Sequence, residues 1–293
     1  MTFRSLALAA GAASLLLAAP RVGAEIYVVT TDTSLADIAR AVGGDRVRVE
    51  SLTRGVDDPH HVEARPSMVL KLARAQVFAR IGMDLDMFAD SVLARCGNAQ
   101  VQKGAKGYAD CSRGVRVRDV PAGRLDPSQG DIHVYGNPHY LLDPANGIVA
   151  AGNIAAALIR VDPANQPLYH QRFQAFGEMI RQGLDRWRAQ LAPFRGAPIV
   201  TFHRSWVYFT ERFGLREVAH LEPKPGMPPS PGHVNGVIQT MRAERVKVLL
   251  TENFRSRRFP DLVERETGAK AVFVPGAVEG EAGVDSYVKL IDA

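Results

Sequence analysis

The chain has 293 residues, of which 46% are hydrophobic and 23% charged. That is the make-up of an ordinary globular protein with room for two domains of moderate size, and it excludes a disordered chain. The formal charge is +5, but the basic residues are dispersed, as in Arg255, Arg257 and Arg258 or Arg113, Arg116 and Arg118, with no aromatic-rich basic motif beside them; a nucleic-acid partner is not expected.

The first residues stand apart. Arg4 supplies a positive start, an apolar run covers 6–17, and Val22-Gly23-Ala24 offers a small-residue cleavage site, so residues 1–24 read as a secretory signal peptide. The apolar run is too short for a spanning helix, which needs roughly 20 residues. No cysteine lies near the expected cut, so a lipid anchor is not expected. Removing Arg4 and Arg21 leaves 34 basic against 31 acidic residues, a charge of +3. Export carries the chain to an oxidising compartment, where its two cysteines, Cys96 and Cys111, are expected to pair as a disulfide. The alternative, soft metal ligation, lacks CxxC spacing.

In chain order, a β-branched run over 26–30 predicts a strand. Asp32 to Ser34 supply a helix start, and Leu35, Ile38, Ala39 and Val42 follow at helical spacing. The unit recurs: a strand over 47–52, a helix opening at Arg65-Pro66-Ser67 and running through Ala73, and a buried strand over 77–81. Strands alternating with helices predict a parallel sheet with helices on its faces, whose ligands sit beyond the carboxyl ends of the strands. The tract 112–136 lacks periodicity and is expected to be a mobile surface segment.

From Pro163 the texture changes. Tyr169, Phe173, Phe176, Ile180, Leu184, Trp187 and Leu191 recur every three or four residues, the pattern of one long amphipathic helix. Over 167–192 it would span roughly 39 Å at 1.5 Å per residue. Beyond Pro193 the alternation resumes, with strands over 199–202, 246–251 and 271–274 and helices over 207–213 and 259–267; the Pro-rich stretch 223–232 reads as an ordered loop. The expected division is a first α/β lobe over 25–162, a connecting helix over 163–193 and a second α/β lobe over 194–293.

Four places carry His or Asp in turn-rich contexts: Asp57-Asp58-Pro59-His60-His61-Val62-Glu63, Gly136-Asn137-Pro138-His139-Tyr140, Thr201-Phe202-His203-Arg204-Ser205-Trp206 and Gly283-Val284-Asp285-Ser286-Tyr287. If both sheets aim their carboxyl ends at one cleft, all four converge there. Three imidazoles and one carboxylate form a tetrahedral set suited to Zn²⁺. Adjacent side chains on extended backbone face opposite ways, so spacing alone leaves His60 and His61 as alternatives. A lone His after a strand is more often structural than a ligand, and His170, His220 and His233 are read that way.

In order, Asp58-Pro59-His60 with Glu63, Asn137-Pro138-His139 with Asp143-Pro144-Ala145-Asn146, His203-Arg204-Ser205-Trp206 with Arg212-Phe213-Gly214, the stretch from Glu222-Pro223, and Asp285-Ser286-Tyr287 resemble the successive motifs of the zinc and manganese solute-binding proteins of metal ABC importers. The resemblance runs from Ile26 to Leu290. It implies two lobes, each with a parallel sheet flanked by helices, joined by a long rigid helix with the metal in the cleft. It also implies ligation by His60, His139, His203 and Asp285, no catalytic turnover, residence in the periplasm as a monomer, and delivery to an inner-membrane permease. A periplasmic zinc metallochaperone is a further candidate partner.

Manganese carriers of the family tend to place Glu where this chain has His203, so zinc is the expected metal. Glu63 and Glu252 are candidate acceptors behind the ligands, and His61 and His133 are candidates for transient contact, His133 by receiving zinc before His139 does. The tract 112–137 contains only His133, so no multi-His capture loop is expected, and the stretch after Asp285 is shorter than the family's usual last helix. A zinc hydrolase is the rival reading, but there is no HExxH motif and Asp285 would close the coordination sphere. A manganese-binding or adhesin-type relative is the other.

Overall fold

Strand β1 (Ile26–Thr30) forms the first sheet with β2 (Val47–Ser51), β3 (Val77–Arg80) and β4 (Tyr108–Asp110), in the parallel order β2-β1-β3-β4. The computed structural model describes residues 25–121 and 133–293. The signal peptide expected over 1–24 and the centre of the 112–136 tract lie outside the described residues. The two described ends of that tract are tied down: Asn137 N donates to Arg118 O at 2.8 Å, and Arg118 pairs with Glu211.

Both faces of this sheet are covered, and the strand residues divide between them with period two. Val28, Val77, Ala79 and Ala109 face helices α1 (Thr33–Gly43), α4 (Pro144–Val161) and α5 (Gln166–Leu191), while Val29 and Phe78 face α2 (Pro66–Arg74) and α3 (Phe88–Arg95). Helix α1 starts where Asp32 accepts from Leu35 N at 2.8 Å, a side-chain cap that satisfies one orphan donor. The α4 sequence is apolar nearly all round, so amphipathic spacing does not reveal it. Among the described residues it is the one helix long and apolar enough to cross a membrane, with a mean hydropathy of 1.3. Its Ala150, Ala151, Ile154 and Leu158 are fully buried in the first core, where each large aliphatic side chain contributes about 1.5–3 kcal/mol.

Helix α5 has 26 residues and buries Tyr169, Phe176, Ile180, Leu184 and Trp187. Beyond it, β5 (Pro198–Thr201), β6 (Arg216–His220), β7 (Val248–Glu252) and β8 (Lys270–Val274) build the second parallel sheet, order β6-β5-β7-β8. It repeats the first sheet's pattern and gives the two-lobe α/β fold with a long helix. Helices α6 (Val207–Phe213), α7 (Pro231–Ala243) and α8 (Arg258–Thr267) accompany it. The last helix, α9 (Tyr287–Asp292), packs elsewhere. Val278, Val284, Tyr287 and Leu290 join the core of the first lobe, and Tyr287 N donates to Asp37 at 2.8 Å. The final segment thus crosses back over the division placed at residue 194, because its apolar residues match the face of α1 and α5 rather than the second sheet.

The expected disulfide is not formed, and both cysteines are free. Cys96 packs among α2 and α3 on one face of the first sheet, with Gln102 Nε2 at 3.6 Å from its sulfur, whereas Cys111 follows β4 into the core on the opposite face. The sheet stands between the two thiols. Burial, helped by Asp110 and Asp86, pushes the Cys111 thiol well above its ordinary range, so it is held as an inert apolar side chain.

Candidate metal centre

The loop after β2 ends in a short 3₁₀ turn, Pro59–His61. Asp58 starts it by accepting from His60 N at 3.1 Å, and the same carboxylate oxygen sits 2.8 Å from His60 Nδ1. With Nδ1–H donated to a carboxylate, the imidazole's lone pair lies on Nε2. That atom is buried with no hydrogen-bond partner. His61 is exposed on the outside of the turn, with Nε2 4.0 Å from Asp58.

His139 is positioned by Asn137, whose side chain accepts from His139 N at 3.1 Å and donates to Arg204 O at 2.7 Å. The Asn137 carbonyl in turn accepts from Tyr208 Oη at 2.7 Å, so one buried residue pins the first lobe's loop to the second lobe. His139 Nε2 is also buried and unpartnered. His203 follows β5, and its Nδ1 meets the Glu222 carboxylate in a short hydrogen bond. The rings of His60, His139 and His203 stand 5.0, 5.1 and 5.2 Å apart. His133 completes the cluster, 5.4 Å from the His60 ring and 6.1 Å from that of His139.

A second layer surrounds the rings, and sequence spacing did not reveal its roles. Arg255, from the loop after β7, lies 3.2 Å from Asp58, 3.9 Å from Glu222 and 3.7 Å from Glu252. It joins the carboxylates behind His60 and His203 across the lobe boundary. Burial works to raise the Asp58 carboxyl, but hydrogen bonding by His60 and the Arg255 charge outweigh it and hold the group well below the usual carboxylate range. Glu252 serves the second lobe's loop, accepting from Ser205 Oγ and from Trp206 Nε1 at 3.1 Å. Asp143 and Arg212 add a two-pronged ion pair at 2.7 and 2.6 Å between the start of α4 and α6.

Asp285, expected among the ligands, lies at the surface in this structure. Its side chain is 68% exposed and pairs with Lys289 at 2.8 Å, one turn along α9. Ser286 caps that helix and Tyr287 is buried beneath it, so the anchored helix turns the carboxylate to the surface rather than to the histidines. Glu63 is likewise exposed. His170 is exposed and stacks on Phe173, His220 lies 2.9 Å from Thr201 Oγ1, and His233 Nε2 meets His220 O at 2.9 Å; all three stand outside the cluster.

Ligand nitrogens of His60, His133 and His139 lie within 4.8 Å of one another. Each buried nitrogen without a partner costs about 1–3 kcal/mol, and one cation accepting all three lone pairs removes that cost, so the residues fit a metal ion. Bonds of 2.0–2.1 Å to a tetrahedral ion require nitrogens about 3.3 Å apart, so binding would need the rings to move in by no more than about 1 Å each. Imidazoles held by carboxylates at the far nitrogen are the usual arrangement behind such ligands. Glu222→Gln should therefore weaken metal binding by roughly 10–100-fold while the secondary structure by circular dichroism stays unchanged; undiminished affinity in a chelator competition would remove Glu222 from the site's support.

The comparisons with known proteins agree with this architecture. The iron-binding protein YfeA of Yersinia pestis is 28% identical over 273 residues, covering 90% of this chain and 82% of its own. The manganese ABC transporter substrate-binding lipoprotein PsaA of Streptococcus pneumoniae is 27% identical over 274 residues, covering 91% and 86%. The crystal structure of ZnuA superposes with a TM-score of 0.75 at 21% identity, covering 92% of this chain and 97% of that one. The family described as "Zinc-uptake complex component A periplasmic" matches residues 28–293. The chain therefore belongs to that family, the metal-binding solute-binding proteins of ABC importers, which work with a membrane permease and are not enzymes.

Proposed function

We propose that this chain captures Zn²⁺ in the periplasm, at high affinity and as a monomer, and delivers it to its permease. The observation that carries the reading is the set of inward-facing imidazoles with orphaned Nε2 atoms and, among the described residues, no carboxylate grouped with them. A nitrogen-rich site suits zinc and the later first-row ions, whereas manganese is held by carboxylate, carbonyl and water. The names of these two relatives specify iron and manganese, so metal choice is argued from this chain's own donors. The test is metal analysis of the purified protein followed by equilibrium competition. Zinc should bind at one equivalent and resist displacement by a hundredfold excess of Mn²⁺; displacement by equimolar Mn²⁺ would overturn the zinc reading.

A further inference from the structure

Asp285 faces solvent and binds Lys289, which leaves the triad of His60, His139 and His203 one donor short of a tetrahedron. His133 stands beside two of the three, its ring 5.4 Å from that of His60 and 6.1 Å from that of His139. Its Nε2 is buried and unpartnered, and its ligand nitrogen lies within 4.8 Å of those of His60 and His139. We infer that His133 is the fourth ligand, making this an all-imidazole site of His60, His133, His139 and His203. The inference deepens the zinc reading and rests on it.

The backbone is built to bring His133 to this place. His133 O accepts from Gly136 N at 3.1 Å, closing a turn that folds the chain back over His139. Gly136 has φ +100°, a conformation that a side chain strongly disfavours. A Cβ there would lie 2.4 Å from Val117 and 2.7 Å from the Arg118 carbonyl. The next residue, Asn137, is the one that pins His139 and bonds to Arg204. The turn at His133 and the loop of His139 are thus joined through Gly136 and Asn137, both held against Arg118. Asp285 has no such support toward the cluster, because capped α9 and buried Tyr287 hold it at the surface.

Four neutral imidazoles bring no negative charge to the ion. The compensating charge lies one layer out, on Asp58 behind His60 and Glu222 behind His203, with Arg255 joining the two carboxylates. Oxygen-seeking Mn²⁺ gains least from such a donor set and Zn²⁺ or Co²⁺ more, so His133 is also a residue that sets metal choice.

The test uses the mature chain, with zinc affinity read by competition against a chromogenic chelator and ligand geometry read from the visible absorption of bound Co²⁺. His133→Gln should lower zinc affinity by about 100-fold or more, beyond the range for an outer-layer partner, and should replace the intense tetrahedral Co²⁺ bands by weak ones. Gly136→Ala, which keeps every imidazole but displaces the turn, should move both readouts the same way. Asp285→Asn should leave both within twofold. Wild-type affinity and spectrum in His133→Gln, or a loss in Asp285→Asn matching that of His139→Ala, would overturn the assignment while leaving zinc capture intact. Failure of the wild type to bind zinc would instead remove the functional reading itself. Thermal unfolding of each metal-free variant separates lost ligation from lost fold.

Discussion

His139→Ala should lower zinc affinity by at least about 100-fold, more than the loss of any outer-layer partner, while His170→Ala leaves it unchanged. Of the proposed ligands, His139 is the cleaner one to remove. Its Nε2 has no protein partner, so alanine strands no other group, and the metal-free protein should melt within a few degrees of wild type. His203→Ala would differ. It leaves the buried Glu222 carboxylate without its imidazole, and a buried charge deprived of a partner is strongly destabilising. His170 is exposed and stacks only on Phe173, which makes it the control for a general effect of losing an imidazole. Calorimetric titration of the three proteins decides: equal affinities for His139→Ala and wild type would place the metal elsewhere.

The metal-free protein should lose stability steeply as pH falls below about 6.5. Burial, then the neighbouring charges of His60 and His203, lowers His133 to about 3 and holds His139 well below its ordinary value. An unfolded histidine titrates near 6.5. Between those values the unfolded chain binds protons that the folded chain refuses, so unfolding gains free energy as acid is added. The stabilising term is fully present above about pH 6.5 and is lost progressively toward pH 3. The slope is about 1.4 kcal/mol per pH unit for each histidine that stays neutral, and the rings take up protons as a coupled set. Urea unfolding at pH 7, 6, 5 and 4 in the presence of a chelator measures it. His133→Gln should show a shallower dependence than wild type, and parallel curves would mean that His133 is not held neutral in the fold.

Much of the architecture was legible because it is written in local chemistry. The period-3.6 pattern from Tyr169 to Trp187 marks α5, and the β-branched runs near Ile26 and Ile199 mark the central strands. Asp58 and Asn137 act on backbone groups two residues away, so their motifs carry their own geometry, whereas α7 starts at Pro231 inside the stretch 223–232 that was read as a loop. Helix α4 was not legible, since a helix apolar on every side has no period to detect. The free thiols were missed for a related reason: fourteen intervening residues say nothing about which face of a sheet each cysteine enters.

The two α/β lobes, the long helix and three of the clustered histidines could be read from local patterns, because strand-end loops and capping residues act over a few positions. Which further side chains stand beside those histidines depended on packing. Asp285 is turned outward by where α9 packs, and His133 is turned inward by a turn that Gly136 permits against Val117. Arg255 acquires its role only when β7 brings it beside Asp58 from the other lobe. Each of these depends on side-chain direction between segments tens to hundreds of residues apart, and that direction is settled by burial and packing rather than by spacing along the chain.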